Sequence, residues 1–403
     1  MAKIITDEKL IDEFLERGVA EIFPGKNEFK KILMSGKRLR VYGGFDPSAP
    51  SLQIGNAVLI NKLSQFQALG HEVIFLVGDF TGMIGDPTDK TAARKKLTRE
   101  DVKKNSKDYK KQAAGYLKFT GDNPAVVMHN SKWSDKMSFK DLIELSSNFT
   151  VQQMIQRDMF QKRMEERKPI YLHEFLYPLA QGYDSVAMDV DVEVGGNDQM
   201  FNMLCGRDLM KTLKGKEKFV LTMKLLADEN GKKVGKTEGN AIFLNETPEN
   251  IYGQIMAWSD GLIGAGFELC TQVSYEKVKE VYRKLKNPET NPRDLKMELA
   301  FEITKINHGE KKAKAAEDYF IKTIQKKEAP DKIKEISISG GEKLIDMIVG
   351  EKMAGSKADA RRKIEQGGVS IDGEVIKDFQ MVLDKSYSGK VLKVGKKDFR
   401  KFL

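Results

Sequence analysis

Cysteine is almost missing from this sequence. Cys205 and Cys270 are its only thiols in 403 residues, too few for a disulfide framework or a cysteine-rich zinc site. Long apolar runs are missing too. The longest, such as Val73 to Gly78, are strand-sized and far short of the roughly 20 residues that span a bilayer. Met1 to Phe14 alternates charge with apolarity and holds no run of signal-peptide length, so a cytoplasmic location is expected. Neither an internal repeat nor a low-complexity stretch is visible.

What is present is ordinary in bulk. Hydrophobic residues make up 40% and charged residues 32%, enough for a large core under a soluble surface. The length suggests two or three domains of about 150 residues each. Lysine and arginine number 68 against 59 acidic residues, a net charge of +9. An anionic partner such as RNA or a nucleotide fits that excess, which is also common in proteins with no such partner.

Arg38 to Gly78 reads as strand, loop, helix, strand. Val41 and Tyr42 end an apolar stretch that Gly43-Gly44, Pro47 and Pro50 break. Leu59, Leu63 and Phe66 recur at helical spacing before Gly70, a natural stop. His71, just beyond, is expected as a cap or surface residue. Val73 to Val77 suits a buried strand. Two strands joined through a helix make the crossover unit of a parallel sheet. The expected fold class is therefore α/β, with a doubly wound, Rossmann-like parallel sheet.

Farther on, residues 95–125 are basic, polar and helical in pattern, and 168–200 mixes helix with loop. Residues 219–244 read as strands around an Asn230-Gly231 turn. From Pro248 to Lys327 the pattern is helical, with Pro288 and Pro292 as breaks. A charged, proline-containing linker leads to a helix–helix–hairpin unit. Its second helix opens with Ser356 and Asp359 spaced as a capping box, closes at Gly367-Gly368 and precedes an Asp372-Gly373 turn between strands. The expected division is a catalytic domain over 1–245 with an inserted segment at 95–165, a helical domain over 246–327, a linker over 328–339 and a small α+β domain over 340–403.

Two constellations carry chemistry. Tyr42-Gly-Gly-Phe-Asp-Pro-Ser-Ala-Pro-Ser-Leu-Gln-Ile-Gly-Asn56 lies between a strand and a helix start. That is the carboxyl edge of an α/β sheet, where ligands bind, and a helix N-terminus suits phosphate. Gly44 and Gly55 would admit a ligand close to the backbone. Lys232-Lys-Val-Gly-Lys-Thr-Glu-Gly-Asn240 is a lysine-bearing glycine loop, able to close over a triphosphate and neutralise charge as pyrophosphate leaves. Alone, the first is also compatible with a turn between core elements and the second with a solvated loop.

The first stretch resembles the opening signature of the class I aminoacyl-tRNA synthetases, His-x-Gly-His in its usual form, within the context of the tyrosyl family. Gly78-Asp-Phe-Thr-Gly-Met-Ile-Gly-Asp-Pro-Thr-Asp-Lys90 with Arg94, Tyr177-Pro-Leu-Ala-Gln-Gly-Tyr-Asp184 and Gly195-Gly-Asn-Asp-Gln199 continue the resemblance in order. The lysine loop resembles that family's second signature, Lys-Met-Ser-Lys-Ser. The likeness extends over nearly the whole chain. It implies tyrosine activation with Mg-ATP, transfer to tRNA(Tyr), a homodimer and no metal held by the protein itself.

By the same resemblance Tyr42 and Asp184 face the phenolic hydroxyl of tyrosine. Tyr177, Gln181 and Asp86 hold its ammonium group, with Gln199 beside them. Asp198 and Asp46, with Gly196, serve the ATP sugar and the adenylate. Ser48, Lys90, Arg94, Lys233, Lys236 and Thr237 act on the phosphates. Both signature histidines are replaced, by Gln53 and Asn56. Their amides are neutral donors, so the phosphate contact can survive. His71, His129, His173 and His308 all lie outside the signatures.

Residues 340–403 hold 14 basic and 10 acidic side chains, with Lys357, Arg361, Arg362 and Lys363 clustered on one helix. The layout resembles a small RNA-binding domain that tyrosyl-tRNA synthetases share with other RNA-binding proteins, and implies phosphate contacts along that helix. Two other readings stay open: a tryptophanyl relative, against which the Tyr42/Asp184 pair speaks, and an RNA-binding protein on a decayed synthetase scaffold, which the missing histidines favour.

Overall fold

The computed structural model describes residues 2–88, 97–228, 231, 233–235, 240–326, 333–338, 340–395 and 398–403. The chain divides into two compact units, Met1–Glu310 and Lys311–Leu403.

In the first unit, β1 (Val19–Phe23), β2 (Arg40–Phe45), β3 (Glu72–Val77), β4 (Val126–His129), β5 (Val192–Gly196) and β6 (Phe219–Met223) form one sheet. Their order is β1-β6-β5-β2-β3-β4. Every neighbouring pair is parallel except β1 with β6, so the expected parallel sheet carries an antiparallel edge. Val73–Val77 of β3 and all of β6 are buried, hence their unbroken apolar sequences. The chain runs outward from β2 to β3 to β4, then returns to the other side of β2 as β5. That reversal opens a ligand crevice beyond the carboxyl ends of β2 and β5.

The helix Ile54–Ala68 joins β2 to β3. It buries Ile54, Ala57, Val58, Ile60, Leu63 and Phe66. His71 departs from expectation: it is 1% exposed, because the chain turns directly into β3 and the ring Nδ1 accepts from Leu39 N at 3.3 Å. Burial pulls its pKa down to about 4 and keeps it neutral.

Residues 219–244 also depart from expectation. Phe219–Met223 is the strand β6, but past it, among the described residues, only isolated bridges remain, Ala227 with Lys233 and Gln53 with Phe243; Asn230 lies outside the described residues. The partner of residues 242–244 is the segment entering the Ile54–Ala68 helix, with Ile54 N donating to Ile242 O at 2.8 Å and Leu244 N to Leu52 O at 2.9 Å.

Helices Pro248–Met256, Leu262–Cys270, Tyr275–Leu285 and Pro292–His308 complete the first unit. The carbonyls left open at the end of Leu262–Cys270 need donors. Arg17 supplies them to Phe267, Glu268, Thr271 and Val273, and Asn61 to Leu269 and Thr271.

The second unit holds β7 (Lys334–Ile336), β8 (Glu342–Lys343), β9 (Val369–Ile371), β10 (Glu374–Val375), β11 (Val382–Leu383), β12 (Val391–Val394) and β13 (Asp398–Phe402). They form a sheet ordered β10-β9-β12-β13-β7 and a small β11-β8 pair. Helices Leu344–Gly350 and Lys357–Glu365 share its core through Leu344, Ile348, Ala360 and Ile364. The Asp372-Gly373 turn joins β9 to β10, which pair antiparallel. β7 pairs with β13, so residues expected as linker enter the sheet. The capping box is half formed. Ser356 accepts from Asp359 N at 3.2 Å, but the Asp359 carboxylate is drawn to Gly355 N at 3.2 Å and to Lys363 at 3.1 Å.

Candidate active site

A cleft of about 1150 Å³ opens at the carboxyl ends of the strands. Gly44, Asp46 and Ser48 line it from the loop after β2, and Gln53, Gly55 and Asn56 from the following helix start. Asp86, Tyr177, Gln181 and Asp184 line one side, with Gly196, Asp198 and Gln199 beyond β5 and Lys233 from the lysine loop. Lys90, Arg94, Lys236 and Thr237 lie outside the described residues.

Gly78 follows the last residue of β3, and the reason for glycine is spatial. A Cβ there would stand 2.0 Å from Asp46 Oδ1 and 2.4 Å from Thr81 Oγ1. Without it, Asp46 accepts from Thr81 Oγ1 at 2.6 Å and from the Tyr177 hydroxyl at 2.8 Å. Asp46 is thereby tied to the side of the cleft that Tyr177 lines.

Asp184 is the deepest carboxylate, 2% exposed. Trp133 Nε1 donates to its Oδ1 at 2.7 Å and Asn130 Nδ2 to its Oδ2 at 3.1 Å. Desolvation pushes its pKa well above the usual carboxylate range, while these two bonds pull it down. Tyr42 is 1% exposed, and burial raises its phenol well above normal. Each oxygen of Asp184 meets one protein donor, so the pair keeps acceptor capacity for a ligand hydroxyl.

The polar side chains expected around an ammonium group are held by one another. Gln199 Nε2 donates to Asp86 Oδ2 at 2.7 Å, and Thr88 donates to Asp86 Oδ1 through its amide (2.9 Å) and hydroxyl (2.6 Å). Arg157 donates to Thr88 Oγ1 at 2.8 Å, and Gln181 Nε2 to Glu193 Oε1 at 3.0 Å.

The two signatures meet at the other end. Asn56 Oδ1 accepts from Gln53 N at 3.0 Å, which commits its oxygen and leaves the NH₂ as the donor end. A Cβ at Gly235 would lie 3.9 Å from Gln53 Oε1, so the lysine loop passes beside the signature helix. Val234 N donates to Leu226 O at 2.8 Å, Gly235 N to Asn240 Oδ1 at 2.8 Å, and Asn240 Nδ2 to Lys233 O at 3.1 Å. Asn240 thus ties the ends of the loop together.

In the second unit Lys357, Arg361 and Arg362 are exposed, Lys363 is half-buried, and each has an acidic neighbour. Lys357 meets Asp346 at 2.6 Å, Arg361 meets Glu365 at 2.7 Å, Arg362 meets Asp359 at 2.6 Å and Lys363 meets Asp359 at 3.1 Å. Such surface pairs are worth about 0–1 kcal/mol, little enough to be exchanged for an anion.

Sequence reasoning missed Thr81, Thr88, Asn130, Trp133 and Arg157, which hold the named residues in place, and the buried trio Ser185, Glu193 and Lys218 under Tyr42. Thr81 and Thr88 sit inside the Gly78–Lys90 block, and no local pattern marks the others. They converge from different elements.

The description "tRNA synthetases class I (W and Y)" matches residues 34–325, and "Tyrosine--tRNA ligase SYY-like C-terminal domain" matches 325–401. The tyrosine–tRNA ligase of Thermotoga maritima is 43% identical, with 96% of each chain covered. Tyrosine–tRNA ligase 2 of Clostridium acetobutylicum is 40% identical over 98% of this chain and 99% of the other. The Archaeoglobus fulgidus tyrosyl-tRNA synthetase, solved with L-tyrosine, superimposes with a TM-score of 0.60 at 18% identity, covering 77% of this chain and all of that one. A truncated mitochondrial enzyme from Aspergillus nidulans gives 0.66 at 22%, over 77% and 92%. These two speak for the fold. Taken with the near-complete sequence matches, they place the chain in the class I tRNA synthetase family, among the tyrosine–tRNA ligases.

Proposed function

We propose that this chain joins L-tyrosine to ATP as tyrosyl-adenylate and passes the tyrosyl group to the terminal ribose of tRNA(Tyr), with the residue roles that follow. The observation that carries the assignment is Asp184, a buried acceptor held by Trp133 and Asn130 beside Tyr42. An indole offers one N–H and no hydroxyl, so the pair favours a phenol over tryptophan.

The substrate carboxylate attacks the α-phosphate and pyrophosphate leaves. The protein contributes positioning and charge stabilisation, with no covalent nucleophile. Tyr177, Gln181, Asp86 and Gln199 orient the ammonium group, and Asp46 steadies Tyr177 from below. Gly44, Asp46, Gly55, Gly196 and Asp198 accommodate the adenylate. Gln53, Asn56, Ser48 and Lys233, with Lys236, Thr237, Lys90 and Arg94, meet the phosphates. Magnesium arrives with ATP as part of the substrate.

Two partners complete the reading. Phe139 and Val151, in the inserted segment 95–165, are 79% and 71% exposed, which supports a second copy of the chain against that segment. The basic helix with Lys357, Arg361, Arg362 and Lys363 supports a phosphate-contacting domain over 340–403, with 246–327 on the anticodon side and 1–245 as the catalytic domain.

Pyrophosphate exchange measured with each amino acid tests the assignment. Exchange is expected with tyrosine alone, and Asp184→Ala should reduce the preference over phenylalanine by about tenfold or more, the worth of a hydrogen bond to a charged group. Exchange with tryptophan, or with nothing, overturns the reading.

A further inference from the structure

The floor of the cleft rests on an ion pair that no signature contains. Lys218, just before β6, is 0% exposed, and Glu193 on β5 is 3% exposed; the two form a salt bridge. Replacing such a pair by apolar residues is often neutral or stabilising, so stability gives no reason for its presence. The fold also makes space for it. On the helix Met200–Lys214, a Cβ at Gly206 would stand 2.5 Å from Lys218 Nζ and 2.9 Å from Ser185 Oγ.

The contacts admit one consistent order for the protons. Lys218 Nζ lies 2.9 Å from Ser185 Oγ, and an ammonium only donates, so the serine oxygen accepts. Ser185 then has one proton and two neighbours, Glu193 Oε2 at 3.4 Å and the Tyr42 oxygen at 3.0 Å. The shorter contact takes it, since hydroxyl hydrogen bonds fall between about 2.5 and 3.0 Å. The Glu193 carboxylate also reaches the Tyr42 hydroxyl, but it is taken up by Lys218 and by Gln181 Nε2 at 3.0 Å; Tyr42, accepting from Ser185, can then turn its own O–H into the cleft, which it lines beside Asp184.

We propose that Lys218, acting through Ser185, is a specificity-determining positioning residue: it orients the Tyr42 hydroxyl as a donor to the substrate. The hydrogen bonds then run in one direction. Lys218 donates to Ser185, Ser185 to Tyr42, Tyr42 to the ligand oxygen, and the ligand hydroxyl to Asp184. The chain begins on a cation and ends on a carboxylate, and the group that completes it both accepts and donates at one atom. That group is a phenol. An aromatic amine donates equally well to Asp184 but accepts poorly from Tyr42. This inference rests on the assignment of Tyr42 and Asp184 to the phenol and adds the direction of the bond between them.

The test compares pyrophosphate exchange with tyrosine, 4-aminophenylalanine and phenylalanine in the parent and in Ser185→Ala. Losing the serine frees the Tyr42 hydroxyl to rotate. The preference for tyrosine over the amine should fall by on the order of tenfold, the worth of one hydrogen bond. The preference for tyrosine over phenylalanine, which reads Asp184, should stay large, and the KM for ATP should hold. Should Ser185→Ala fail to fold, the double variant Lys218→Met with Glu193→Gln removes the donor to Ser185, leaves no unpaired charge and carries the same expectation. An unchanged tyrosine-to-amine ratio overturns the inference, as does an equal loss of both preferences. A parent that shows no preference for tyrosine over phenylalanine overturns the underlying assignment instead.

Discussion

Alanine at Gly78 adds one methyl group just past the end of β3. Its Cβ would stand 2.0 Å from Asp46 Oδ1 and 2.4 Å from Thr81 Oγ1, inside any tolerable contact. The backbone there is outside the left-handed region, so conformational strain plays no part and the whole effect is steric. Asp46 has to move. It accepts from Thr81 at 2.6 Å and from Tyr177 at 2.8 Å, and a hydrogen bond to a charged group contributes about 1.5–3 kcal/mol. Losing one lowers activity by about tenfold to 150-fold; losing both sets an upper bound of about 3–6 kcal/mol, which water reaching this half-buried carboxylate reduces. Tyrosine-dependent pyrophosphate exchange should therefore show kcat/KM for tyrosine down by about tenfold or more, with the KM for ATP near that of the parent. Overpacking should also lower stability by about 1–3 kcal/mol, visible in urea unfolding. A folded Gly78→Ala protein with kcat/KM for tyrosine within about twofold of the parent would refute the role given to the Asp46–Tyr177 contact.

Three further outcomes are expected. Replacing Gln53 and Asn56 together by alanine should slow single-turnover adenylate formation by about 3 kcal/mol or more of barrier, and histidine at both positions should preserve activation; a parent no faster than the double alanine variant would mean that these amides do nothing. Truncation after Lys326 should leave pyrophosphate exchange intact and impair tRNA charging, whereas joint collapse of both would show that the removed segment supports the catalytic fold. His71 titrates at about 4 in the folded chain against an ordinary 6.5. As pH falls through 6.5 the unfolded chain takes up a proton the native state refuses, so stability is lost progressively, by about 3 kcal/mol once pH is below 4. His71→Gln, still able to accept from Leu39 N, should flatten that slope in urea unfolding between pH 7 and 4; an unchanged slope would place the titration elsewhere.

Motifs were legible where chemistry needs residues close in sequence. The stretch from Tyr42 to Asn56 had to combine a strand end, a glycine loop and a helix start, because only consecutive residues can bring backbone N–H groups to a phosphate. The lysine loop and the Asp372-Gly373 turn were readable for the same local reason. His71 was not. A histidine after a helix-ending glycine reads as exposed, and its burial depends on Leu39 coming alongside from a segment 32 residues earlier.

The sequence by itself determined the alternation of strands and helices, and it named two loops expected to face phosphate and the residues expected to meet tyrosine, since each is written in spacing over a few turns of chain. Tertiary structure decided what those residues hold. The antiparallel edge β1, the pairing of residues 242–244 with the approach to the signature helix, and the support of Asp184 by Trp133 and Asn130 all join distant parts of the chain. The Lys218–Ser185–Tyr42 contact belongs with them. A lysine just before a strand reads as a solvated charge, and only the packing of β5, β6 and the bare face at Gly206 puts it under a phenol.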